Sequence, residues 1–539
     1  MPTPVGVNRE KVDAAGSTFS REGVLRHPQK QIGTERSLRE RGVPWRPFGD
    51  LTPNGRRGAV ESLFELVLPI VTTLGLLGVS LIASAHAILH KREVQSAISW
   101  AALIWLAPGI GAIAYLLLGR NRIRRRAAEL RSGAQRVRSQ PEVTPVPPTD
   151  VEAALGVAAP QLEGLARLME DATGRPLLPG NRIVPLIDGD QAYPEMLAAI
   201  AAAERSVALA TYIFESGPTG MRFVDALADA HTRGVTVRVL LDDFGVRYAL
   251  PTVDHVLQRR GVRVARFLPV WRARYFNLRN HRKLMVVDGR VGFSGGMNIR
   301  AGHVLAAQPR LPVRDLHFRV EGPVVAHLME VLAEDWEFTT HEPLRGDDWF
   351  PRLHGRGPSL ARGIPDGPDE DFDKIRWAFL GGIACARRSI RVLTPYFLPD
   401  QAIATAFNIA AMRGVKVDIV LPERGNLPLV EWAMWGHLRK VLGHGCRIWL
   451  TPRPFDHSKL MVVDESWLLF GSPNWDPRSL RLNFELGVEC YDPELAARMA
   501  ALVDERIARA RAVLLHELER RPLALQLRDG MARLLTPYL

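Results

Sequence analysis

NHRKLMVVDGRVGFSGGMN (residues 280–298) and DHSKLMVVDESWLLFGSPN (456–474) share one spacing, H-x-K-x4-D, followed by Gly-Gly or Gly-Ser and then asparagine. The apolar run LMVV between them has the length and β-branched content of a buried strand. A strand's side chains alternate, so His281 and Lys283 project from one face, as do His457 and Lys459. Asp288 and Asp464 close the runs, and the glycines beyond let backbone come close to a ligand. Asn298, Ser472 and Asn474 follow. Further on, each copy supplies one acid, Asp315 in the first and Glu485 in the second.

The repetition extends outward from these two stretches. SVALATYIF (206–214), RGVTVRVLL (233–241) and VRVARFL (262–268) precede the first, in the order in which SIRVLTPYF (389–397), RGVKVDIVL (413–421) and CRIWL (446–450) precede the second. Strand-like runs alternating with helical stretches predict an α/β fold. Four elements recurring in one order predict a duplicated α/β unit. The first half is expected over 176–345, a Pro/Gly-rich seam over 346–370, and the second half over 371–539. That second half ends in helices, and the stretch from Pro493 onward is expected to pack on the core.

A different chemistry precedes the repeat. Residues 1–60 are rich in Arg, Gly, Pro and Ser without apolar periodicity, and predict a basic disordered leader. Within 61–126, Leu66–Leu89 has His86 as its only ionisable side chain, and Val94–Leu118 carries no charge. Crossing a bilayer core takes about 20 apolar residues in a helix, so both runs are long enough, and the short link between them predicts a two-helix transmembrane hairpin. Arg56, Arg57, Arg120, Arg122, Arg124, Arg125 and Arg126 flank it, against Lys91 and Arg92 at its tip. This asymmetry predicts a multi-pass protein of the inner (cytoplasmic) membrane whose catalytic part faces the cytoplasm. Residues 127–175 read as a linker.

The chain has 539 residues and a formal charge of +12, which suits an anionic surface or a phosphate-bearing substrate. Its three cysteines, Cys385, Cys446 and Cys490, form no CxxC pair, which argues against a disulfide framework or a structural zinc site. Taken alone, an H-x-K on a strand is usually surface decoration, and an Asp after VVD is usually a turn residue. Recurrence with equal internal spacing overturns that reading. A histidine beside a cation can attack or protonate at a phosphate, and a carboxylate on one imidazole nitrogen fixes the tautomer and aims the other.

The duplicated pattern resembles the phospholipase D superfamily, whose defining sequence is HxKxxxxDxxxxxxG(S/G)xN. WDPRSLRLNFE (475–485) is similar to the C-terminal motif of bacterial cardiolipin synthases, and 96–126 resembles their membrane anchor. The resemblance implies duplicated phospholipase D-like mixed-sheet halves related by a pseudo-twofold axis, with one active site at their interface. His281, Lys283, Asp288, His457, Lys459 and Asp464 would be catalytic, and Asn298, Asn474, Ser472, Asp315 and Glu485 would bind or orient substrate. One histidine, His281 by preference, would form a phosphohistidine while the other protonates the leaving oxygen. The implied reaction makes cardiolipin from two phosphatidylglycerol molecules, releasing glycerol, with hydrolysis by a phospholipase or nuclease as the alternative. No cofactor, metal or nucleic acid is expected, and the partner is an anionic phospholipid membrane. Gly296 departs from the serine often found there, which removes a possible hydroxyl contact to phosphate.

Overall fold

A computed structural model describes residues 53–91, 94–119, 143–156, 158–269, 278–369 and 371–536. It divides into two units, 1–113 and 114–539.

In the first unit the helix Pro53–His90 (α1) takes up the earlier apolar run. Glu65–His90 within it is long and apolar enough to cross a membrane. The expected leader therefore ends sooner than residue 60, and residues 1–52 lie outside the described residues. The second apolar run is not one helix. It forms Val94–Leu106 (α2), breaks, and resumes as the short turns Ile110–Ala114 and Tyr115–Gly119. Pro108 supplies no N–H and disfavours a helical residue before it, and Gly109 sits at φ 84°, so the break has a covalent cause. Of the expected two-helix hairpin, the described residues show one helix of spanning length, with α2 of the broken second run packed against it. Arg120 to Arg126 lie outside the described residues.

The second unit carries the repeat. Its first half contains β1 (Leu178–Ile187), β2 (Ser206–Thr211), β3 (Thr236–Asp242), β4 (Arg263–Phe267), β5 (Arg279–Asn280), β6 (Leu284–Val287), β7 (Val291–Gly295), β8 (Val313–Arg314) and β9 (Leu316–Glu321). Its second half contains β10 (Ser359–Asp366), β11 (Ser389–Leu393), β12 (Lys416–Pro422), β13 (Arg447–Thr451), β14 (Phe455–Asp456), β15 (Leu460–Val463), β16 (Trp467–Gly471), β17 (Asn483–Tyr491) and β18 (Arg511–Val513). The first half runs β1-β9-β7-β6-β2-β3-β4 across the sheet, and the second β10-β17-β16-β15-β11-β12-β13-β18. The same order of corresponding strands therefore leads away from a shared centre. There β1 and β10 pair antiparallel, Leu178 opposite Ala361 and Asn181 opposite Ser359, and fuse the halves into one sheet. The seam expected over 346–370 thus supplies β10, a central strand.

LMVV is buried at all four positions in both copies, as a strand covered on both faces requires. One apolar cluster belongs to the first half and another to the second, while a third is shared. In the shared one Phe318 stacks on Phe470 with centroids 3.8 Å apart. Part of the expected linker is also core. The helix Gln161–Thr173 buries Leu162, Leu165, Ala166 and Met169 against the second half. The helix Pro493–Ala508 buries Leu495, Met499, Leu502 and Val503, in keeping with its expected packing role.

Candidate active site

Each catalytic strand begins by pairing with the other half. β5 runs parallel to the start of β17, and β14 runs parallel to β8. The backbone of His281 donates to the Phe484 carbonyl at 2.9 Å, and that of His457 donates to the Arg314 carbonyl at 2.8 Å. The next residue in each acceptor strand is the acid. His281 Nδ1 lies 3.0 Å from both Glu485 oxygens, and His457 Nδ1 lies 2.8 Å from Asp315 Oδ2. The orienting carboxylates are therefore exchanged between halves. Such a bond makes Nδ1 the protonated nitrogen and leaves Nε2 for chemistry.

Lys283 and Lys459 are buried beside the histidines and donate to the carbonyls of His281 and His457, respectively. Tyr212 meets the His281 ring edge-on, with centroids 5.2 Å apart, and Tyr396 meets His457 at 6.5 Å. Asn298 Oδ1 accepts from the Ile213 N–H at 3.1 Å. Asn474 is also buried, and its Oδ1 has no partner among the described residues. Both asparagines line the same cavity as the two histidines.

Ser472 does not face that cavity as a phosphate ligand. Its hydroxyl donates to Glu485 at 2.5 Å, alongside Ser479 at 2.6 Å and Asn483 at 3.1 Å. In the first half a Cβ on Gly296 would lie 2.2 Å from Asp315 Oδ1. The glycine leaves room for the shorter acid to lie flat, and what looked like a lost phosphate contact is one part of an exchanged pair.

Asp288 and Asp464 are not brought to the reacting groups. They sit at the far ends of β6 and β15 with φ of 52° and 53°. Asp288 accepts from the backbone N–H groups of Glu204, Arg205 and Ser206, and Asp464 from those of Arg387, Arg388 and Ser389. A catalytic role for either is corrected to one of holding β2 and β11 in register. Asp456 likewise points away, accepting from Ser458 and from Arg506 on the helix behind.

The cavity is about 500 Å³. Arginines from both halves line it, among them Arg279, Arg300, Arg310, Arg424, Arg453 and Arg478. Most of these escaped the motif reading because they occupy loops without a shared spacing. Their one legible signal is position, in loops around the ends of strands that converge on the site. Among the described residues no three His, Cys, Asp or Glu side chains gather as metal ligands would.

Burial sets the electrostatics. It lowers His281 to about 4, against the raising influence of Glu485, and holds His457 well below the usual imidazole range, with Lys459 and Lys283 adding to the effect. Both rings are thus neutral near pH 7. Burial likewise lowers Lys283 to about 7 and Lys459 to about 8. The acids differ. Asp315 is raised to about 7 by burial, whereas in Glu485 burial is outweighed by His281, Lys283 and Ser472, which hold it below the usual range. Two neutral imidazoles, two lysines of adjustable charge and a ring of arginines can bind a phosphodiester and pass one proton.

Residues 196–330 and 380–507 match the family described as cardiolipin synthase, PLD-like domain, and 78–120 match a phospholipase D-nuclease N-terminal family. The chain is 31% identical over 489 residues to cardiolipin synthase A of Pseudomonas fluorescens, covering 88% of this chain and 98% of that one. The chain belongs to the cardiolipin synthase family of the phospholipase D superfamily. It is also 29% identical over 460 residues to cardiolipin synthase 1 of Staphylococcus epidermidis, covering 83% and 93%. Phosphatidylserine synthase of Haemophilus influenzae shares the fold, with a TM-score of 0.55 at 14% identity over 70% of this chain and 100% of that one. As a member of the superfamily the chain is an enzyme, and its two matched segments are the two halves of the sheet.

Proposed function

We propose that the chain transfers a phosphatidyl group from one phosphatidylglycerol to the hydroxyl of a second, giving cardiolipin and glycerol. The observation that carries this is the pair of neutral histidines in one cavity, each held by a carboxylate of the opposite half. His281 Nε2 attacks phosphorus, the bond from phosphorus to the glycerol oxygen breaks, and His457 gives that oxygen its proton. The second lipid's hydroxyl then returns a proton to His457 as its oxygen displaces His281 from phosphorus. One phosphodiester replaces another, so the bond energy is conserved in the phosphohistidine. Glu485 supports His281 as the nucleophile, because an ionised carboxylate favours the tautomer with a free Nε2 lone pair. The anionic substrate supplies the negative charge that lets His457 hold its proton. Lys283, Lys459, Asn298 and Asn474 stabilise the non-bridging oxygens.

The apolar α1 helix supports a membrane protein, and the arginine asymmetry supports a cytoplasmic catalytic unit on the inner membrane. Purified enzyme on phosphatidylglycerol vesicles should yield cardiolipin and glycerol in equal amounts, and added glycerol should drive the reaction backward. Phosphatidic acid as the main early product, with no effect of glycerol, would leave a hydrolase instead.

A further inference from the structure

The last helix of the chain, Leu523–Leu534, is inside out. Leu523, Leu527, Met531 and Leu534 recur at three- and four-residue spacing, which lines them along one face. They are 70%, 59%, 69% and 74% exposed. The opposite face, which packs on the helix Pro428–Leu442, is mostly polar, with Ala532 its buried apolar exception. There the buried Asp529 accepts from Arg521 at 2.8 Å and Arg528 at 2.7 Å. The two guanidiniums lie over the rings of Trp435 and Trp432, at 4.3 and 4.7 Å. Thr536 bonds His437 at 3.0 Å. An ordinary surface helix turns its apolar stripe inward. This one is held largely by charge and stacking, and Leu523, Leu527, Met531 and Leu534 are left outward.

We infer that this stripe docks on the surface of an anionic phospholipid bilayer and turns the cavity toward its substrate. The inference rests on the phospholipid reading above for its choice of occupant. Two further observations favour a bilayer over a protein partner. The supporting helix starts at the cavity, where Leu427 and Val430 line the wall, and Leu427 and Leu429 are exposed. Cavity mouth and stripe therefore share one rigid element. The exposed Arg520, just before the helix, and Arg533, within it, supply cations at either end of the stripe, where they can meet anionic headgroups. A stable protein interface recruits about 20–30 residues a side, whereas interfacial insertion needs only one apolar helix face, immersed roughly 5–10 Å.

The test uses the full chain in phosphatidylglycerol-containing vesicles. Leu527→Cys and Met531→Cys are labelled with a fluorophore, with Gln258→Cys, on an exposed part of the first half, as the control. Lipids carrying a nitroxide high on the acyl chain should quench the first two labels and spare the third. Separately, a Leu527→Glu/Met531→Glu variant should lose about tenfold in turnover on vesicles, yet stay within about twofold on monomeric short-chain phosphatidylglycerol. Absence of quenching at 527 and 531 overturns the docking. So does a detergent-stable dimer that the double variant splits, which would make the occupant a second copy. Failure of the unmodified enzyme to transfer phosphatidyl groups from either substrate sinks the functional reading alone, since quenching is read without turnover.

Discussion

His281 and Glu485 lie on different halves of the sheet, and the imidazole Nδ1 sits 3.0 Å from each carboxylate oxygen. Ser472, Ser479 and Asn483 donate to the same carboxylate, so it is fixed in place before the ring meets it. Asp315, which serves His457, has the Leu316 N–H as its other close donor, and burial raises it to about 7. The two acids are thus unequal, and the proposed division of labour between the histidines follows from that inequality.

Glu485→Gln should slow formation of the phosphohistidine, and Asp315→Asn should slow departure of the headgroup. Each should reduce turnover by roughly 10²–10⁴-fold, the range of a positioned acid or base. A substrate with a good leaving group separates them. It should restore the first half-reaction in Asp315→Asn and in His457→Ala, with a burst of released headgroup, and restore nothing in Glu485→Gln or His281→Ala. A burst in His281→Ala would reverse the assignment of nucleophile.

Gly296→Ser inserts a Cβ where Asp315 Oδ1 already lies, at 2.2 Å. It should disable the enzyme even though the motif permits serine there. Ser472→Ala removes one of four donors from Glu485 and should cost about 1 kcal/mol of positioning, or roughly fivefold in turnover. Steady-state rates of the two variants provide the check. Equal, mild effects would mean that the Gly–Asp and Ser–Glu combinations are not coupled.

Asp464→Ala takes away the acceptor for three backbone N–H groups and should lower stability by roughly 1–3 kcal/mol. The urea midpoint should fall while the protein that remains folded turns over at close to the normal rate. Asp288→Ala should behave alike. A large loss of turnover at unchanged stability would return both aspartates to the chemistry.

The pH response follows from the lysines. Each is charged below its own pKa, about 7 for Lys283 and about 8 for Lys459, and only the charged form attracts the phosphodiester. Raising pH through 7 to 8 therefore removes binding charge, and KM should climb by up to about tenfold per unit for each deprotonated lysine. A bound anion pulls protons back on. Calorimetry with a phosphonate analogue in buffers of different ionisation enthalpy should find more protons taken up at pH 8 than at pH 6. Equal uptake at the two would contradict the lowered lysines.

The sequence carried the repeat because side-chain period and equal spacing are local properties. His281 with Lys283, and His457 with Lys459, could be placed on a strand face from two residues of separation. What it could not carry is partnership at a distance. Nothing local says that Glu485 serves His281 rather than His457, because that depends on β5 pairing with β17. Asp288 sits inside the motif but far along the strand, so proximity in the chain misled. The second apolar run breaks for a local reason, Pro108-Gly109 within it, and that reason was readable. The inverted face of Leu523–Leu534 was not, since an apolar stripe looks the same in sequence whether it turns inward or outward.

The exchange of carboxylates between halves also bears on how such a molecule can change. A chain holding one half alone could complete neither histidine and would depend on meeting a second copy, at whatever concentration the cell maintained. Joining the copies end to end replaces that encounter with a tethered one, worth an effective concentration on the order of millimolar. It also ends the obligation to stay identical. Once each half always meets the other, glutamate with serine can settle on one side and aspartate with glycine on the other, and a symmetric ancestor's interchangeable histidines become a donor and an acceptor of different character.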